Sequence, residues 1–116
     1  MSAKILVIYP KPADASEFER AYTTDHAPMV TPEAFPGITK FVQVKVVGTP
    51  DGSEPKIARI AELHFDSLSD LQAAAGGAGA ATAVAHAHEI STGGAPTILV
   101  CEENTTAFGE RKAATK

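Results

Sequence analysis

The middle of the chain constrains the fold most. Two strand-like runs, Ile38 to Val47 and Ile57 to Phe65, are separated only by Thr49-Pro50-Asp51-Gly52-Ser53-Glu54-Pro55. An Asp-Gly pair between two apolar runs signals a tight turn, so the runs pair as a hairpin. In the first run Gln43 and Lys45 share one face and Val42, Val44 and Val46 the other. In the second, Ala61, Leu63 and Phe65 (with Ile57 and Arg59) oppose Ala58, Ile60, Glu62 and His64. Period-two alternation of this kind is what a strand requires.

One strand and one helical stretch flank the hairpin on each side. Upstream, Ile5 to Tyr9 is a continuous apolar run, the pattern of a strand covered on both faces. Asp14 with Glu17, or Ser16 with Glu19, offers a capping pattern for a helix running to about Asp25. The segment Ala27 to Gly37, with Pro28, Pro32 and Pro36, is a connection. Downstream, Ser67 caps a short helix through Leu71 and Ala74, with Asp70 three residues after the cap. Gly76-Gly77 and Gly79 interrupt it before the alanine-rich stretch Ala80 to Ile90. Ser91-Thr92-Gly93-Gly94-Ala95-Pro96 is a sharp break, and Thr97 to Glu102 is the last strand.

The order is therefore β-α-β-β-α-β. It predicts an α+β domain over residues 1–105, with a four-stranded antiparallel sheet and its helices on one face. Residues 106–116 are expected as a tail. The first and last strands are apolar on both faces, so the face away from the helices needs a cover. A second copy packed sheet to sheet is the simplest one, giving an isologous homodimer.

Bulk properties exclude several function classes. With 116 residues and 44% hydrophobic side chains, the chain suits one ordinary core. The net charge is −4 and no basic patch with aromatics occurs, so no nucleic-acid partner is expected. No apolar run reaches membrane-spanning length, and no secretory leader is visible, so a cytoplasmic location is expected. The single Cys101 rules out an intramolecular disulfide and a cysteine zinc site. It reads as a small buried hydrophobe.

Phe18, Tyr22 and His26 are four residues apart, so on a helix they line one face. Pro28 limits that helix, which leaves an imidazole at its C-terminus, near a strand end. The dipole there would favour the protonated ring. An imidazole titrating near pH ~6.5 suits proton transfer.

Several segments together resemble the EthD family, named for ethyl tert-butyl ether degradation. They are Tyr9-Pro10-Lys11-Pro12, the Phe18…Tyr22…His26-Ala27-Pro28 stripe, Pro36-Gly37-Ile38, Phe65-Asp66-Ser67-Leu68 and Ser91-Thr92-Gly93-Gly94-Ala95-Pro96. The resemblance covers about residues 4 to 104. It implies a ferredoxin-like subunit of the dimeric α+β barrel superfamily, with a small apolar pocket between helices and sheet. The family's His-x-Pro histidine corresponds to His26, the expected catalytic group. Members are often labelled reductases or oxidoreductases. Superfamily relatives include cofactor-free monooxygenases, cyclases, decarboxylases and isomerases.

Other polar groups are candidates for substrate binding. Tyr9 and Tyr22 could orient a ligand oxygen, or simply pack the helix onto the sheet. Glu62 and His64 share one strand face; they form an acid–base pair if that face lines the pocket, and are structural if it lies at a dimer interface. His86 could face the pocket. His86 and His88 suggest a metal pair, but on a helix two residues are about 200° apart, so no metal site is expected. Gly76-Gly77-Ala78-Gly79 lacks the Lys and Ser/Thr of a phosphate loop, and neither a dinucleotide fingerprint nor a Gly-x-Ser-x-Gly elbow occurs. The expectation is a catabolic enzyme without a bound cofactor, acting on a hydrophobic or aromatic carbonyl compound. Two alternatives stand beside it: a non-catalytic ligand-binding accessory to an oxygenase system, and a stress-type dimer with haem or metal affinity.

Overall fold

The computed structural model describes residues 1–109. Four strands, β1 (Ser2–Pro10), β2 (Ile38–Lys45), β3 (Ile57–Phe65) and β4 (Thr97–Glu103), form one antiparallel sheet in the order β2-β3-β1-β4. Three α-helices pack against it: α1 (Ala15–Arg20), α2 (Leu68–Ala75) and α3 (Ala78–Ile90). This is the expected α+β arrangement. Of the expected tail, residues 106–109 carry no regular element, and 110–116 lie outside the described residues.

The caps form as the sequence implies. The Asp14 carboxylate accepts from the Glu17 N–H at 3.1 Å, and the Ser67 hydroxyl accepts from the Asp70 N–H at 3.1 Å. Each satisfies a donor that the first helical turn leaves open.

Alternation along β1 divides the sheet into two faces. Ala3, Ile5, Val7 and Tyr9 are buried toward the helices with Ala61, Leu63 and Phe65 of β3. These residues and Phe18, Tyr22, Phe35 and Leu71 make the core. The opposite face carries Leu6, Ile8, Val42, Val44, Ile60 and Leu99, brought together by the strand register. In the single chain these side chains are only partly covered, and Leu99 is 43% exposed.

At one end of that outer face is a charged cluster. Lys4 lies 3.0 Å from Glu103 and 3.3 Å from Glu62, and His64 Nε2 is 2.8 Å from Glu62. The hydrogen bond to Glu103 outweighs burial, which acts the other way, and sets the Lys4 ammonium above its usual range. Burial pushes the Glu62 carboxyl upward, but hydrogen bonds from His64 and Lys4 leave it lowered on balance.

Two glycines allow close backbone approaches. A Cβ on Gly79, in the first turn of α3, would sit 2.6 Å from Ala34 Cα. A Cβ on Gly93 would sit 1.8 Å from the Lys11 carbonyl oxygen. The Gly93 approach joins the segment after α3 to the turn before α1, and the Ala13 N–H donates to Thr92 Oγ1 across the same seam at 3.2 Å. Two stretches far apart in sequence, Tyr9 to Pro12 and Ser91 to Pro96, are therefore neighbours in space.

Candidate functional site

The aromatic stripe forms, but its last turn is not an α-helix. Beyond Arg20 the chain widens into a π-helical turn, Ala21–His26, and then tightens into a 3-10 turn, Ala27–Met29. The Ala27 N–H donates to the Tyr22 carbonyl, five residues back. Pro28 thus sits inside the 3-10 turn and does not end the helical path before it. Ala27 keeps helical angles (φ −55°, ψ −39°) despite the proline that follows. The first turn of a new helix tolerates proline because its missing N–H is not needed there. Single π turns of this kind recur at functional sites.

Within the stripe, ring centroids are 6.0 Å apart from Phe18 to Tyr22 and again from Tyr22 to His26. Tyr9, at the end of β1, stands edge-on to Tyr22 at 5.6 Å and to His26 at 6.3 Å. Arg59 anchors the stripe from β3: its guanidinium donates to both Glu19 carboxylate oxygens at 3.0 and 2.8 Å and lies 4.8 Å from the Tyr22 ring centroid. That is a bidentate pair with a cation–π contact, which fixes α1 on the sheet.

His26 is 6% exposed, and its Nδ1 lies 2.9 Å from Nδ1 of His86 on α3. The two rings are nearly parallel, with centroids 5.1 Å apart. Burial, reinforced by the facing His86, lowers the His26 pKa to about 4. The expected protonating influence of the helix end is therefore overridden: desolvation disfavours the imidazolium more than the terminal carbonyls favour it. Near neutral pH His26 is a neutral ring.

His26 borders a cavity of about 130 Å³ between the inner sheet face and the helices. Ile5, Val7, Tyr9, Ala61 and Leu63 form its floor, Phe35, Phe41 and Val30 one wall, and Ala80, Ala83, Val84 and Ala87 of α3 its roof. Among the described residues, Tyr9 and His26 alone bring polar side-chain atoms to this lining. The roof explains why space remains. Ala80, Ala83 and Ala87 are buried at helical spacing, and methyl groups cannot fill the gap to the sheet. The alanine-rich composition of residues 80–90 is what leaves the cavity.

The other candidates divide by location. Tyr22, in the middle of the stripe, is buried and does not line the cavity; its hydroxyl has no hydrogen-bond partner, and burial pushes its pKa up to about 12. Burial raises the Tyr9 phenol further still. Glu62 and His64 lie on the outer face and do not reach the cavity, so the pocket alternative for this pair gives way to the structural one. The period-two pattern groups them correctly but does not tell which face meets the helices. His86 meets His26 from the side and lines a separate polar recess of about 300 Å³ with Asp14, Glu17, Arg20, Asp25 and Glu89. His88 points elsewhere, its Nδ1 3.0 Å from the Val84 carbonyl oxygen. Among the described residues no group of three or more His, Cys, Asp or Glu is placed to hold a metal. Cys101 is half-buried on β4 opposite Lys4, less enclosed than its sequence context suggests.

Sequence reasoning missed Phe35 and the alanine roof. The signal for the roof was present in the spacing of Ala80, Ala83 and Ala87. Ala83→Leu should fill the space with a change in stability of about 1 kcal/mol or less, because the added atoms enter a void. Benzene or xenon uptake, observed by NMR shifts of Ile5 and Leu63 methyls, is expected in the wild type and absent in Ala83→Leu. Equal uptake by both proteins would show that this space does not admit ligands.

The fold is that of a ferredoxin-like α+β chain, and the proteins it is similar to include one of the EthD family. An EthD-family protein of known structure from Bacillus halodurans is 27% identical; the match covers 90% of this chain and 100% of that one, with a TM-score of 0.80. A dimeric protein of unknown function with a ferredoxin-like fold, from Bacteroides fragilis, matches at TM-score 0.64 and 14% identity over 88% of this chain and 96% of its own, a likeness of fold alone. In sequence, the chain is 28% identical over 102 residues to an uncharacterized 11.0 kDa protein in the thcB-thcC intergenic region of Rhodococcus erythropolis, covering 88% of this chain and 95% of that protein. No family model matches the chain.

Proposed function

We propose that this chain is a small homodimeric enzyme that binds a neutral hydrophobic or aromatic carbonyl compound in the cavity, with His26 as the proton-transferring group and no bound cofactor. The observation that carries this reading is a buried, neutral imidazole on the wall of a cavity whose other described lining, apart from Tyr9, is apolar. Such a ring accepts a proton from carbon next to a carbonyl, the step shared by isomerisation and aldol-type cyclisation. Among the described residues the lining offers no cation to a carboxylate or phosphate, so the ligand is uncharged and carries one polar atom toward His26 or Tyr9. Oxygenation of an electron-rich substrate begins with the same deprotonation.

The homodimer reading rests on the outer face, where six apolar side chains lie beside the Lys4–Glu62–His64–Glu103 cluster. A patch of this kind favours a self-complementary partner. A single-chain mass in sedimentation would contradict it.

The catalytic reading is tested by deuterium exchange. Small neutral aryl ketones and aldehydes with α-hydrogens are incubated with the protein in D2O, and label at the α-carbon is followed. Exchange above buffer is expected, with a loss of about 100-fold or more in His26→Asn. Binding without exchange would leave a ligand-binding accessory protein, and exchange unaffected by His26→Asn would remove His26 from the chemistry.

A further inference from the structure

A base on the wall of an apolar cavity has a difficulty. Once it accepts a proton it becomes an imidazolium in a place that disfavours charge, the same desolvation that keeps it neutral. The contact with His86 offers a way around this. His26 lines the cavity and His86 the separate polar recess, and their Nδ1 atoms are 2.9 Å apart. The Nδ1–Nδ1 contact leaves the Nε2 of each ring outside it.

We infer that His26 and His86 form a two-ring proton relay joining the apolar cavity to the solvent-facing polar recess. In the resting state His26 carries its proton on Nδ1 and donates it to the bare Nδ1 of His86, whose own proton is on Nε2. A proton leaving the ligand bonds to His26 Nε2. The His26 Nδ1 proton passes to His86 Nδ1, and the His86 Nε2 proton leaves to water in the recess. One N–H bond forms and one breaks on each ring, so both rings end neutral in the opposite tautomer, and the positive charge is delivered to water. Return of a proton to the ligand runs the same steps backward and restores the resting pair. Asp14, Glu17, Asp25 and Glu89 line the recess together with Arg20, which pairs with Glu17 and Asp25, and the excess of carboxylates favours a proton there. The relay deepens the proton-transfer role proposed for His26 and makes His86 a positioning and conducting residue that need not touch the ligand.

The test needs no turnover. Exchange of the His26 ring N–H with water is measured by NMR on protein labelled with nitrogen-15 in its imidazoles. In the wild type the proton should exchange rapidly, and the two His26 ring nitrogens should show shifts averaged between tautomers. In His86→Gln the side-chain amide keeps a hydrogen bond to His26 but cannot accept a proton on one atom while releasing another, so exchange should slow by about tenfold or more. His86→Phe, with no polar atom, should slow it equally. His86 is partly exposed, and folding of both variants is read from their backbone amide spectra; if the Phe protein does not fold, the Gln protein decides. Wild-type exchange rates in His86→Gln would overturn the relay. Failure of the catalytic role would look different: slow exchange in His86→Gln, together with α-carbon labelling that ignores His26→Asn, would leave a relay without that chemistry.

Discussion

Gly93→Ala should be the most damaging single-methyl change in the chain. The added carbon would lie 1.8 Å from the Lys11 carbonyl oxygen and 2.7 Å from its carbonyl carbon. Both are main-chain atoms one residue past the end of β1, and the Lys11 N–H donates to the Lys56 carbonyl at 2.8 Å. Neither side can rotate away as a side-chain tip would, so the segment after α3 has to lift from the turn before α1. That motion also removes the Ala13–Thr92 hydrogen bond and unseats the end of α3, the helix that carries the cavity roof and His86. A loss of more than about 3 kcal/mol is expected, out of the roughly 5–15 kcal/mol that stabilises a typical domain. Urea unfolding measures it. A variant within about 1 kcal/mol of wild type would mean that the seam is looser than described.

The second large effect is acid destabilisation through His26. In the unfolded chain its imidazole titrates near the ordinary 6.5, whereas in the folded protein burial and the His86 ring lower this to about 4. As pH falls below 6.5 the unfolded state takes up a proton that the folded state refuses, so stability drops until the folded pKa is reached. The contribution is fully present above pH 6.5 and is lost by about pH 4, a difference of about 3 kcal/mol. His26→Asn removes the titrating group, so its unfolding free energy should decline less over this window. Parallel declines in the two proteins would show that His26 is solvated in the folded state.

Much of the fold was legible because its signals are local. The Asp51-Gly52 turn, the Asp14 and Ser67 caps and the strand alternation each depend on residues a few positions apart. The segments resembling EthD proteins were legible too, and the structure gives two of them a shared purpose in the Lys11–Gly93 seam. The helix end was misread because a proline rule that holds for a continuing α-helix does not apply to the first turn of a 3-10 segment. His26 stood out through its spacing from Phe18 and Tyr22. Its partner did not, since His86 lies 60 residues away and only the packing of α3 against the π turn brings the rings together. Glu62 and His64 show the limit of periodicity. Both faces of β3 carry apolar residues, so parity alone could not place the pair on the side away from the helices.

The account rests on His26 being neutral and desolvated at the cavity wall. The most direct measurement is an NMR titration of the His26 ring in the wild-type protein, following its carbon-bound protons and ring nitrogens from neutral pH down to the onset of acid unfolding. The account predicts a midpoint near about 4, or unfolding before the ring protonates. A midpoint at or above the ordinary 6.5 would place the ring in water and contradict it.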